Sequence, residues 1–290
     1  MITGHFARRF MHWFGVPFPK NYLSFDTEST GFDTSWDLPL QYGHTLVTDG
    51  KVVAKREYIL QWTRSPYVDQ AWLKDQLKYL ENKFREMGKT WHLSYDRVDA
   101  EGKPPDAVLR YYLELFKRSR KHKHFIAGQN VWFDCEMFAN TSREFLAGDT
   151  FEFDEDEVFD IGAIVKTIQL PTPVMPHPLD TLQGWTKRVK GKFAKGVKWN
   201  IAATIELLKL NDAEFDANAL HGAECDSYWV HRILDELGIR MGSALADVDD
   251  EPLPDQPAAE RRRDMFNQPV IGSVNEYNEL DASRGAKDSG

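Results

Sequence analysis

Asp26-Thr27-Glu28 stands directly after the apolar run Tyr22-Leu23-Ser24-Phe25, and Ser29-Thr30-Gly31 follows it. Asp-x-Glu occurs five times in the chain, so the spacing alone is weak, and a solvated surface pair is its ordinary reading. The setting separates Asp26 and Glu28 from the other four pairs. An apolar run of this kind reads as a buried strand, and residues two apart on a strand share a face. Two carboxylates held together at the end of such a strand repel, and one takes up a proton unless a cation lies between them. Oxygen-only ligands suit Mg²⁺ or Mn²⁺. Ligands of open α/β sheets also bind beyond the carboxyl ends of the strands.

Two further groups carry the same chemistry. In Gly128-Gln129-Asn130-Val131-Trp132-Phe133-Asp134 a strand ends, a polar turn follows, and Asp134 arrives early in the next helix. Its carboxylate can face the sheet edge that Asp26 faces. Complementing the helix dipole is the competing explanation of an acid in a first turn. In His221-Gly222-Ala223-Glu224-Cys225-Asp226 a histidine precedes a helix and an aspartate lies in its second turn. Both can reach one site; taken singly, they read as a capping-region histidine and a surface acid.

These residues need strands and helices to bring them together. The runs Tyr42–Val47 and Val52–Leu60 flank Thr48-Asp49-Gly50-Lys51, a hairpin signal. Phe125–Ala127 and Val158–Ile161 read as further strands. Helical spacing covers Trp72–Phe84 with a stop at Gly88, a segment opening after Pro104-Pro105, Trp132–Phe145, Ile201–Leu210 and Ala223–Leu237. The pattern predicts an α/β domain with a mixed sheet. Residues 1–19 are expected to form an N-terminal segment, 20–242 the domain, and 243–290 an acidic, proline-containing disordered tail.

The chain has 290 residues, 42% hydrophobic and 28% charged, with a net charge of −9. Residues 243–290 hold 11 acidic against 5 basic side chains, leaving 34 against 31 in the rest. The body is thus nearly balanced, and the headline charge does not exclude a polyanionic partner. No apolar run approaches the ~20 residues that cross a bilayer, so no membrane association is expected. Two cysteines, Cys135 and Cys225, make no disulfide framework and fit a reducing, cytoplasmic compartment. Both read as small buried apolar groups.

At the three acidic groups the sequence resembles the DEDDh 3′→5′ exonucleases, the proofreading-subunit and ribonuclease T-like family of the ribonuclease-H-like fold. The family's D-x-E-[TS]-T-G matches Asp26 to Gly31, its Asn-x-x-F-D matches Asn130 to Asp134, and its H-x-x-x-x-D matches His221 and Asp226. Gln41-Tyr42-Gly43 and Phe159-Asp160-Ile161 agree as secondary signals. The likeness spans about residues 20–240. The chain departs from it at Gln129, where the family often has His, and by a long insertion around Trp62 to Pro105. The resemblance implies a mixed five-stranded sheet flanked by helices. It also implies a two-metal phosphodiesterase using two Mg²⁺ or Mn²⁺ ions. Asp26, Glu28, Asp134 and Asp226 would be the ligands and His221 the general base. Thr30, Gly31, Phe32, Asn130 and Trp132 would lie on the substrate side.

The expected partner is single-stranded nucleic acid or a 3′ overhang, DNA slightly before RNA. A binding module on the same fold without turnover is the alternative. Lys117–His124, with five Lys/Arg and two His, and Thr186–Lys198, with six Lys/Arg near Trp185, Phe193 and Trp199, are candidate backbone grips. For the first, a solvated helix end is the competing reading. The acidic loop Glu152–Glu157 reads as solvated. The tail is a possible protein-binding segment, and the oligomeric state is left open.

Overall fold

The computed structural model describes residues 2–14, 16, 18–170, 173–177, 179–192, 200–210 and 220–246. Its central strand, β1 (Tyr22–Ser29), pairs antiparallel with β2 (Pro39–Thr48) and parallel with β4 (Phe125–Gly128). The outer strands are β3 (Lys51–Ile59), antiparallel to β2, and β5 (Val158–Asp160), parallel to β4. The sheet is therefore five-stranded and mixed, in the order β3-β2-β1-β4-β5. Asp49 and Gly50 adopt φ of 52° and 76°, the left-handed pair that a tight hairpin between β2 and β3 requires.

Helices cover both faces. They are α1 (Gly4–Phe14), α2 (Gln70–Glu86), α3 (Tyr95–Glu101), α4 (Pro105–Lys121), α5 (Val131–Phe145), α6 (Ile161–Gln169), α7 (Leu182–Lys192), α8 (Ile201–Leu208) and α9 (Ala223–Ala246). Strand alternation sends Tyr22, Val47 and Phe125 into one core with α1, α6, α7, α8 and α9. Leu23, Phe25, Tyr42 and Ile126 enter a second core with α2, α4 and α5. No described helix is long and apolar enough to cross a membrane.

Several boundaries differ from the sequence reading. β1 runs on through Asp26 and Glu28, because β2 keeps pairing with it as far as Glu28↔Gln41 and Ser29↔Pro39. α1, α3, α6 and α7 were not expected from the pattern. α1, within the expected N-terminal segment, packs on the domain, since Phe6, Phe10, Trp13 and Phe14 are buried with Phe125 and Phe159 in the first core. Their i, i+4, i+7, i+8 spacing is a buried helical face, interrupted in sequence by Arg8 and Arg9. α9 continues to Ala246, past the expected tail start at 243, and 247–290 lie outside the described residues.

The basic stretches are also partly structural. Trp185 is fully buried, 5.3 Å from the Phe10 ring, so it serves the core and not base stacking. Phe193 and Trp199 lie outside the described residues. In Lys117–His124, Ser119, His122 and His124 are buried. Arg120 pairs with Glu157 of the acidic loop, which is therefore pinned and not simply solvated.

Two consequences are measurable. Gly43 passes so close to the start of α9 that a methyl group there would overlap the Ala223 backbone. Gly43→Ala is expected to cost about 2 kcal/mol or more, lowering Tm by about 4–8 °C. His44 is buried, with Nδ1 3.2 Å from the Tyr112 hydroxyl, and burial depresses its pKa to about 3. Its unfolded form protonates near the ordinary imidazole value, so the stability tied to neutral His44 is complete above that value. It is lost as pH falls towards 3. Denaturant titrations at pH 7.5 and 5 should show this share, about 2 kcal/mol, in the wild type and not in His44→Gln.

Candidate metal centre

Three chain segments meet where β1 outruns its parallel neighbour. Pairing between β1 and β4 reaches Ser24↔Ala127, after which the chain leaves the sheet at Gly128. A side chain at Gly128 would crowd the Phe25 carbonyl and Val131, so glycine permits the close turn. Asn130 takes φ 60°, and its N–H donates to Asp160 Oδ1 at 3.0 Å. α5 then begins beside the open flank of β1, with Asp134 buried in its first turn.

The third segment is the start of α9. Its Ala223 N–H donates to Gln41 Oε1 at 3.1 Å, and Ser227 Oγ lies 3.1 Å from Thr45 Oγ1. β2 thus seats the helix at two points, with Gly43 between them. His221 precedes the helix at φ 74°, and its N–H donates to Asp226 Oδ1 at 3.3 Å. This folds the His221–Asp226 loop back towards β1. Ligand atoms of Glu28, His221 and Asp226 all fall within 4.8 Å of one another.

The electrostatics tie the remaining acids to this group. Asp26 is pushed well above the usual carboxylate range, first by burial, then by Asp134, Asp226 and Glu28. Glu28 is raised by burial, then by Asp226 and Asp134. Burial also raises Asp134, although the Thr27 hydroxyl opposes it. Asp226 is pushed up to about 7 by burial, partly offset by the His221 N–H and Lys89. All four sequence-predicted acids therefore share one electrostatic site. Carboxylates crowded in this way are the oxygen-only donor set that a hard divalent cation would satisfy. Asp26, Glu28, Asp134 and Asp226 are the residues that could hold such a cation, with the His221 imidazole beside Glu28 and Asp226.

The substrate-side candidates divide. Phe32 is 86% exposed beside the site, its ring 6.2 Å from Phe133. Thr30 is buried, and its hydroxyl is used internally, donating to Asp37 Oδ1 at 2.8 Å and accepting from the Leu38 N–H. Gly31 lies against the Asp37 carboxylate, where a side chain would clash. Asn130 Oδ1 accepts from Lys190 Nζ at 2.7 Å. Trp132 is half-buried against the second core with its indole N–H unpartnered, and Phe133 is the aromatic that meets Phe32. Cys135 is buried and Cys225 half-buried, both as thiols.

Other residues at the site carried little sequence signal. Asp160 caps α6 through the Gly162 N–H, holds the Asn130 turn and pairs with Lys190 at 2.6 Å. Its position in a strand-end Phe-Asp-Ile was visible, but its partners were not. Phe84, from the helical face of the insertion, stands edge-on to His221 with ring centroids 5.0 Å apart. Lys89 Nζ lies 2.8 Å from His221 Nε2. No spacing rule links positions so far apart in the chain.

Neither a scan against protein-family models nor a search of curated proteins returns a match to this chain.

The repulsion within the site gives a stability test. Because the folded pKa values are raised, the folded chain holds protons that the unfolded chain releases. The stability contributed by these carboxyls is complete below the unfolded carboxylate range and is lost as pH rises through 7. In metal-free buffer at pH 8, Asp26→Asn should raise stability by about 1–2 kcal/mol, about 2–8 °C in Tm. The gain should shrink at pH 5, and Mg²⁺ or Mn²⁺ should raise the Tm of the wild type more than that of the variant.

Proposed function

We propose that the protein is a metal-dependent 3′→5′ exonuclease with a ribonuclease-H-like domain, acting on single-stranded nucleic acid or 3′ overhangs. The observation that carries the reading is the convergence of Asp26, Glu28, Asp134 and Asp226 with His221 at one end of β1. The order of these residues in the chain, the elements bearing them and the β3-β2-β1-β4-β5 sheet agree with the resemblance noted in the sequence.

Asp26, Glu28, Asp134 and Asp226 would hold two Mg²⁺ or Mn²⁺ ions. Divalent ions so bound stabilise charge on the attacking and leaving oxygens of an in-line displacement at phosphorus. The rest of the chemistry belongs to the chain. β1 and α5 fix their carboxylates on buried backbone, so the site is preorganised before substrate arrives. His221, anchored by its N–H to Asp226, is the group that accepts a proton from the attacking water. The exposed Phe32 ring offers a face on which the terminal base stacks. A nucleoside 5′-monophosphate leaves, and the shortened strand keeps a 3′-hydroxyl.

The test is digestion of 5′-labelled DNA and RNA oligonucleotides in parallel, with nucleotide products identified. Mg²⁺ or Mn²⁺ should support stepwise shortening from the 3′ end and release of 5′-monophosphates. Asp226→Ala should abolish it. His221→Ala should lose roughly 10²–10⁴-fold in rate while keeping the metal-induced rise in Tm. Activity that survives EDTA, or that persists fully in Asp226→Ala, overturns the reading. Tight strand binding with no mononucleotide released over hours points to a binding module instead.

A further inference from the structure

The helix of the long insertion, α2, presents one face to both halves of the site. Gln76 Nε2 donates to the Thr30 carbonyl at 2.9 Å. Two turns on, the Lys83 ammonium lies 5.8 Å from the Phe32 ring centroid, and Phe84 meets the His221 ring edge-on. α2 is followed by Gly88, whose φ is 70°, and the Lys89 N–H closes the turn on the Phe84 carbonyl at 2.9 Å. The Lys89 backbone is thus anchored while its ammonium reaches His221 Nε2 at 2.8 Å.

That contact has a chemical consequence. An ammonium group has three donors and no acceptor. Nε2 is therefore the accepting nitrogen, its lone pair is taken, and the proton of the neutral ring sits on Nδ1. An imidazole in this state has no lone pair with which to accept a proton from water. The base of the proposed reaction is capped in the protein without substrate.

We propose that Lys89 is a strand-responsive positioning residue: it caps His221 Nε2 in the empty site and transfers to a phosphate of a bound strand, uncapping the imidazole. The inference rests on the exonuclease reading. A phosphate oxygen carries charge where Nε2 is neutral, and a charge-assisted hydrogen bond is about twice as strong as a neutral one. Lys89 is exposed, and its flexible stem allows the ammonium to move without the backbone. No proton changes hands; one hydrogen bond breaks and another forms. The occupant is a strand with phosphates beyond the scissile one, so a mononucleotide ester leaves the cap in place.

Two measurements test this. The first compares hydrolysis of an oligonucleotide with that of the p-nitrophenyl ester of thymidine 5′-monophosphate, in wild type, Lys89→Met and Lys89→Arg. Lys89→Met should raise kcat on the ester several-fold and raise KM for the oligonucleotide, and Lys89→Arg should restore that KM. A structural role would lower kcat on both substrates, and an unchanged or lower ester kcat in Lys89→Met overturns the proposal.

The second follows the His221 ring nitrogens by ¹⁵N NMR with an oligonucleotide ending in a 3′ phosphorothioate. The strand should move the wild-type Nε2 signal to its Lys89→Met position. Binding without that shift overturns the cap and leaves the exonuclease reading standing. Absence of binding overturns both. Where the wild type hydrolyses neither substrate, the exonuclease reading falls, and the Nε2 signals of free wild type and Lys89→Met decide the cap, identical signals overturning it.

Discussion

Repulsion among crowded carboxylates is the constraint around which the rest of this fold is arranged. Asp26 and Glu28 share a face of the central strand, and α5 and α9 each deliver one more acid to the same end. A chain would gain stability by separating them, since like charges in a low-dielectric setting oppose folding. Their proximity is enforced from outside the cluster. Gly128 and the left-handed Asn130 start α5 against β1, while Gly43 and Gln41 let α9 sit on β2. The ordinary cores on either side of the sheet supply the stabilisation that offsets this local penalty.

Much of this architecture was legible in the sequence, for reasons that differ from element to element. The strand before Asp26 and the Asp49-Gly50 hairpin carry their own local signals, in apolar runs and turn residues. So did the helices carrying Asp134 and Asp226. β1 outlasted its apolar run because pairing with β2, and not hydrophobicity, holds its polar end extended. α1 was hidden because its burial depends on partners from the far end of the chain, and short helices owe most of their stability to packing. Among the candidate substrate contacts, Phe32 emerged exposed, whereas Thr30 and Asn130 turned out to have internal partners.

The insertion after β3 shows the limit most clearly. As a pattern it is an amphipathic helix with leucines at core spacing, and Leu73, Leu77 and Leu80 are indeed buried. What its neighbouring face does follows from where the helix lies. Gln76, Lys83 and Phe84 meet the Thr30–Phe32 loop and His221, segments separated by most of the chain. The helix is a strut between the acidic strand end and the histidine loop.

The packing of α1 on α9 has a consequence for how the protein is made. Phe10 and Phe14 share their core with Ile233, Leu234 and Leu237, more than two hundred positions later in the chain. During translation the first helix therefore meets Phe125 and Phe159 earlier, but its aromatic face lacks the last wall of its core until α9 has left the ribosome. Contacts of such long sequence separation slow folding and prolong the exposure of apolar surface. Nascent chains stalled short of α9 should be the species that chaperones hold.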